Sequence, residues 1–399
     1  IGVDNATFGT LMMRRISTPA GVPTMSGNIS IAVSTTQFPR TVPHSGNTGG
    51  TNGNLDGLDD RLYAAMARGG HLWTAHNIGV NTTGVATSTA SIKRNGTRWY
   101  DLTNLTGTPT VTQSGTVFDG AVQASARDFF IPSIMVTGQN HAALSLTTGG
   151  TPFFVNAYTA GRLSGDATGT MQAPIATTAS ATAYNPPGDP GGAGGRRWGD
   201  YSYISLDPLD DMTLWMVNQY CNATNTYGCN VTKLLAPPPA TPASCVPAST
   251  PAGQTSVNVV VTGTAVSGSG FYDPGTDLSA PALPYTHISA TVSGGVTVNS
   301  ITYTDPTHIT LNLNTVGAPS GAKDITNTNP DGQLLTSTGI LNISGIVPIT
   351  LKELRGKLNN NLTVSLNWIT SAESGNKGFY VERTETGNPS GWTSIGFVN

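Results

Sequence analysis

Apolar positions along this chain fall in short runs broken by turn residues, not at the three-to-four spacing of an amphipathic helix. Three stretches share one plan: "RLYAAMARGGHLWTAHNI" from Arg61, "PSIMVTGQNHAALSL" from Pro132 and "YSYISLDPLDDMTLWMVN" from Tyr201. Each reads as an apolar strand, a turn and a second apolar strand, with turn centres near Gly69, Gln139 and Leu209. Their recurrence at about 70 residues is the mark of a repeat architecture. Partner hairpins are expected between them, for example in "SIKRNGTRWYDLT", where Asn95-Gly96 predicts a type I′ turn. Two hairpins per period make a four-stranded unit. In "YSYISL", Tyr201 and Tyr203 point one way and Ile204 and Leu206 the other, so both faces are apolar and the strand is expected between neighbouring sheets.

The pattern changes near residue 235. "LAPPPATPASCVPASTPAG" is Pro-rich, which predicts an extended linker at a domain boundary. Beyond it, short strands at 8 to 12 residue spacing predict a β-sandwich. The fold class expected is therefore all-β, a partial β-propeller region followed by Ig-like β-sandwich modules. The expected divisions are propeller-like blades over 1–235, a linker over 236–253, a sandwich over 254–346 and an incomplete module over 347–399.

Three regions resemble known families. "LDDRLYAAMARGGHLWTAH", "RWY", "FFIPSIMV", "AGRLSGD" and "RWGDYSYISLDPLDDMTLWMVNQY", spanning roughly 55–235, resemble the later blades of propellers in secreted, multidomain bacterial proteins. The early "TG...GF", alternating central strands and closing "TNPDG" turn of "VNVVVTGTAVSGSGFYDPG", "VTVNSITYTDPTHITLNLN" and "GAKDITNTNPDGQL" are similar to an immunoglobulin-like module of the IPT/TIG type. The last part, from "IVPITLKELRG" through "LNW", "SAESGNKGFYVER" and "GWTSIGFV", resembles the opening of fibronectin type III-like modules near the C-termini of secreted Bacteroidota proteins. These resemblances imply an extracellular or cell-surface protein.

Composition narrows the classes of function. Only 10% of residues are charged and the net charge is -3, so no basic footprint for nucleic acid and no acidic tail is present. No run of 18 apolar residues predicts a membrane-spanning helix. The chain opens on Ile1 with no signal-peptide pattern, from which the expectation is that any targeting signal has been removed. Of three cysteines, Cys221 and Cys229 bracket "CNATNTYGC", where a hairpin would pair them as a disulfide in an oxidising compartment; Cys245 is left in the linker, free or cross-linking copies. Nine Asn-x-Ser/Thr sequons occur, at Asn5, Asn28, Asn81, Asn95, Asn104, Asn222, Asn230, Asn342 and Asn361. Asn81, Asn95, Asn104, Asn222 and Asn230 are taken as candidates for glycosylation.

The chemistry-bearing residues form no recognised catalytic pattern. The six histidines show no compact metal spacing, and His71 and His76, five apart on a strand, face opposite sides of it. No GxSxG elbow, Walker loop or GxGxxG occurs, and "GNTGGTNGNLDG" reads as a flexible loop. Asp59, Asp60, Asp200, Asp207, Asp210 and Asp211 fall at expected turns, where a carboxylate caps backbone N–H groups. The same oxygens could hold calcium at Asp207, Asp210 and Asp211: "SLDPLDDMTLW" resembles the Asp-box hairpin of propellers, without its central Gly. Arg197, Trp198, Asp200 and Tyr201, with Arg196, are candidates to line a glycan groove, or else to pack a sheet edge with a stacked guanidinium. No catalytic residue is assigned, and no cofactor apart from that calcium.

Both ends of the pattern are incomplete as repeats, which leaves either a piece of a longer protein or sheet edges completed by neighbouring copies. The reading favours assembly: an extracellular structural or adhesive protein, homopolymeric, forming a filament, sheath or lattice by sharing strands. The alternatives are a non-catalytic part of a secreted glycan-processing enzyme or peptidase, and a carbohydrate-binding surface module.

Overall fold

A computed structural model of the chain describes residues 1–3, 8–86, 88–279, 281–345, 350–372, 376–385 and 391–399. The protein is all-β; its helical pieces are single turns of 3-10 helix. It divides into two compact units, one of residues 1–238, 266–287 and 329–333, the other of 239–265, 288–328 and 334–399.

In the first unit, β1 (Gly2–Val3), β2 (Thr10–Met13) and β5 (Ile29–Ala32) form a small antiparallel sheet, with the ribbon β3 (Ile16–Ser17) and β4 (Thr24–Met25) inserted between β2 and β5 in sequence. Two four-stranded antiparallel meanders follow: β6 (Ala64–Arg68), β7 (His71–Val80), β8 (Arg94–Thr103) and β9 (Thr110–Val117), then β10 (Asp128–Val136), β11 (Ala142–Gly150), β12 (Phe153–Arg162) and β13 (Ile175–Ala176). A three-stranded meander, β14 (Tyr203–Leu206), β15 (Leu214–Ala223) and β16 (Thr226–Leu234), completes the series.

These sheets stack face to face, and their central strands β7, β8, β10 and β11 are accordingly buried on both sides. Leu11, Met13 and Ile31 meet Tyr100 and Leu102 between the first two sheets. Trp73 and Trp99, stacked at 5.8 Å, meet Ile134, Val136 and Leu144 between the two four-stranded meanders. Ala143 meets Ile204, Leu214 and Met216 against the last. Each fully buried aliphatic side chain contributes about 1.5–3 kcal/mol.

The hairpin turns at Gly69, Gln139 and Leu209 fall where the pattern places them, and Gly69 and Gly70 both take positive φ, as a tight β6–β7 turn requires. The turn expected at Asn95-Gly96 does not form. Both residues lie inside β8, paired with Gly79 and Ile78. Tertiary partners override the local turn preference: Asn95 Nδ2 donates to the Arg40 carbonyl (2.7 Å), its Oδ1 accepts the Arg40 N–H (2.8 Å), and its own N–H donates to Asp128 Oδ1 (2.6 Å). A Cβ on Gly96 would sit 3.1 Å from both Thr116 Cγ2 and the Val117 carbonyl, a tight fit that glycine relieves.

In the second unit, β17 (Thr241–Val246) and β18 (Ser249–Pro251) arise from the second half of the stretch expected to be linker. β17 joins β19 (Val257–Thr264), β22 (His308–Asn314) and β21 (Thr297–Asp305) in one four-stranded sheet. β18 lies parallel to β24 (Leu334–Ser344), which continues through β23 (Gly321–Thr328) to β20 (Ser289–Val292) in another. Alternate residues are buried, Val259 and Val261 on β19, Ile309, Leu311 and Leu313 on β22, Leu341 and Ile343 on β24, as period-two strands with one core face require. Two ribbons follow, β25 (Thr350–Leu358) with β26 (Val364–Ala372) and β27 (Phe379–Arg383) with β28 (Thr393–Val398), bridged by an edge contact of Trp368 and Phe379 at 5.4 Å.

Candidate functional site

The segment Arg196–Tyr201 leads into β14 and divides its side chains between core and solvent. Trp198 is 2% exposed and meets the Tyr184 ring edge-on at 4.8 Å, in a cluster with Val42, Leu55, Phe130 and Ile131. Burial is what an indole beside an aliphatic core favours, yet its Nε1 finds no hydrogen-bond partner. Arg197 stays exposed and pairs with Asp200 (2.6 Å) and Asp56 (3.2 Å), while its N–H donates to Asp189 Oδ2 (2.7 Å). The Asp200 carboxylate beside it holds the Arg197 guanidinium above its usual pKa.

Together Arg197, Trp198 and Asp200 line a shallow cleft of about 230 Å³ with Tyr184, Gln219 and Tyr227. Gly199 forms its floor, and a Cβ there would overlap Gln219 Oε1. Three of the four predicted glycan residues are thus brought together. Tyr201 is not among them: it is exposed, receives a hydrogen bond from Arg61 Nη1 (3.3 Å) and meets the ring of Tyr63 at 6.2 Å. Sequence reasoning missed Tyr184, Gln219 and Tyr227, which lie 13 to 30 residues away from Trp198 and Arg197 in sequence. Only the β15–β16 pairing, which places Cys229 opposite Gln219 and Gly228 opposite Tyr220, carries Tyr227 to the same end of the sheet.

The acidic turn between β14 and β15 spreads its carboxylates over separate protein donors. Asp207 accepts the Leu209 N–H (2.9 Å) on one oxygen and the Trp215 indole N–H (3.0 Å) on the other. Asp210 Oδ1 accepts the N–H groups of Met212 (2.8 Å) and Thr213 (2.7 Å). Asp211 points elsewhere, to Arg68 Nη1 (2.7 Å) and the Tyr272 hydroxyl (2.5 Å). The carboxylates diverge onto protein donors, and among the described residues no group of three or more His, Cys, Asp or Glu gathers in a metal-holding arrangement. Asp59 caps its turn in the same manner, through the Arg61 N–H (3.0 Å), and the Arg61 guanidinium holds it below the usual carboxylate pKa. Asp60 is buried with one oxygen unpaired, and desolvation raises its pKa.

The expected Cys221–Cys229 disulfide is corrected: both are free thiols. Register explains it, because Cys229 faces Gln219 rather than Cys221 and the pairing shifts between Tyr220 and Ala223. Cys221 is buried, with Sγ 3.3 Å from the Ala223 carbonyl, while Cys229 is exposed. Cys245, placed by sequence in the linker, is a buried residue of β17, where burial pushes its thiol up to about 11.

His71 and His76 do face apart: His71 Nδ1 lies 2.7 Å from Asp101 Oδ1, while His76 is fully buried and pairs with the Asp60 carbonyl and the Tyr100 hydroxyl. Among the candidate glycosylation sites, Asn104 and Asn222 are exposed, Asn81 and Asn230 are half-buried, and Asn95 is fully buried, so a sugar on Asn95 has no room. Asn5 lies outside the described residues. No known protein-family model matches the chain, and no curated protein matches it.

Proposed function

We propose that this is an extracellular, non-catalytic structural protein whose copies associate through uncovered sheet faces. The observation that carries this reading is the outer face of the β14–β15–β16 sheet. Its inner face is buried through Leu214 and Met216, but the outer face presents the cross-strand row Tyr203, Val217 and Val231 and the neighbouring Trp215 to solvent. Tyr203 and Val231 are 61% and 62% exposed, where a strand of this composition would ordinarily be covered.

The occupant that fits is a second copy of the chain. Every other junction in the row of sheets is an apolar face on an apolar face, and the side of the β1–β2–β5 sheet away from its own core carries the half-buried Met12 beside Thr10, Ser30 and Ala32. Outer face on β1–β2–β5 of the next copy is a heterologous contact, which propagates or closes into a ring. The exposed residues Leu354, Leu366, Ile369 and Phe397 of the two C-terminal ribbons add apolar surface of the same kind. The meanders β6–β9 and β10–β13 support reading the first unit as propeller blades, and the two four-stranded sheets of β17–β24 support reading the second as an immunoglobulin-like sandwich. The extracellular setting rests on the resemblance of "RWGDYS...DP.DD...W" to secreted bacterial proteins.

Light scattering and electron microscopy of the purified chain test this. Higher-order particles are expected for the wild type and a particle near the 41.2 kDa chain mass for Val217→Asp. A wild type that stays at the chain mass at high concentration refutes assembly.

A second reading, glycan binding, is favoured by the cleft of Tyr184, Arg197, Asp200 and Tyr227. Tyr227 is 59% exposed, and an aromatic ring stacks on a pyranose face. Binding on a glycan array that is lost in Tyr227→Ala supports it; an array without signal disposes of it.

A further inference from the structure

A second, larger cleft of about 410 Å³ opens in the first unit between β11–β12–β13 and β15–β16. Its size lies within the roughly 300–1,000 Å³ of small-molecule sites. Ile175, Leu214, Leu234 and Leu235 supply apolar wall, while Thr159 and Gln172 add polar groups to it.

One charged side chain stands in this wall. Arg162, the last residue of β12, is 5% exposed, and its Nη1 donates to the Ala167 (2.9 Å) and Thr170 (3.5 Å) carbonyls. Among the described residues no carboxylate lies within ion-pair distance of it. Asp166, four residues on, is taken up by the Leu163 N–H (2.9 Å) and Gln172 Nε2 (3.3 Å). His141 adds no second charge at neutral pH: burial lowers its pKa, Nδ1 accepts the Ser164 N–H (2.9 Å), and Nε2 donates to the Gly268 carbonyl (3.2 Å). A buried guanidinium without an anionic partner is costly, and a planar carboxylate is the group that suits it best.

We propose that this cleft binds a small carboxylate with an apolar tail, the carboxylate on Arg162 and the tail along Leu214, Leu234 and Leu235. The site is independent of assembly, since it uses the inner rather than the outer side of β15.

Calorimetric titration of the full chain with octanoate tests it, with octanol and octyltrimethylammonium as matched tails bearing no charge and the opposite charge. Octanoate is expected to bind, octanol at least about tenfold more weakly, and the cation not at all. Arg162→Gln is expected to cost octanoate about tenfold or more, with its melting temperature recorded alongside. Leu235→Trp, at a half-exposed position on the cleft wall, should block binding with Arg162 intact, and it decides the matter if Arg162→Gln fails to fold. No heat with millimolar octanoate, equal binding of octanol, or undiminished binding in both variants overturns the proposal.

Discussion

Acidifying the solution from pH 7 to pH 5 should destabilise the first unit, and His76 is the chief identifiable cause. The imidazole is fully buried on β7; Nδ1–H donates to the Asp60 carbonyl and Nε2 accepts from the Tyr100 hydroxyl at 3.2 Å. Both ring nitrogens are satisfied in the neutral form. A proton on Nε2 would set a donor against the donating hydroxyl and place a charge near Arg98 in a desolvated site. Burial accordingly pulls its pKa down to about 4.

The sign follows from linkage. Between an unfolded value of about 6.5 and the folded value, the unfolded chain holds more protons, so stability falls as pH falls. Full titration over that window is worth about 3 kcal/mol, and the part lost between pH 7 and pH 5 is about 2 kcal/mol. The assay is urea denaturation at a series of pH values, followed by fluorescence of the buried Trp73 and Trp99, for wild type and His76→Gln. Glutamine can keep one donor and one acceptor but cannot titrate. His44 and His141 have pKa values lowered by burial too, so the wild type alone does not isolate the residue; the difference between the two proteins does. The wild type should lose about 2 kcal/mol more than the variant between pH 7 and pH 5. Parallel curves would refute the argument.

Asp60 should behave with the opposite sign: its folded pKa is raised, so ionisation favours unfolding, and Asp60→Asn should raise stability at pH 7 with the gain vanishing below about pH 4, read in the same urea series. Gly138→Ala would drive a Cβ into the Tyr272 hydroxyl and Asp211, so a loss of about 1–3 kcal/mol is expected; Gly138→Ala with Tyr272→Phe should recover part of it. Under native conditions without reductant, a thiol reagent should label Cys229 rapidly and Cys221 and Cys245 only after unfolding; no labelling of Cys229 would restore the disulfide.

Local pattern determined a large part of this fold. Alternation and turn residues placed the β6–β7, β10–β11 and β14–β15 hairpins, because their signals lie within a few residues of one another and the strand period is short. Turn capping by Asp59, Asp207 and Asp210 was legible for the same reason, each carboxylate reaching an N–H two residues on. Tertiary structure decided the rest. Asn95-Gly96 became strand because Arg40 and Asp128, distant in sequence, supply bonds no local turn could match. Cys221 and Cys229 stayed apart because register, set across β15 and β16, offsets them. Sequence selected Arg197, Trp198 and Asp200, but their cleft also needs Gln219 and Tyr227, and the Arg162 cleft had no linear signal at all. Strands report which way a side chain points; which sheet it then meets is fixed by stacking, a long-range outcome that no short stretch of sequence encodes.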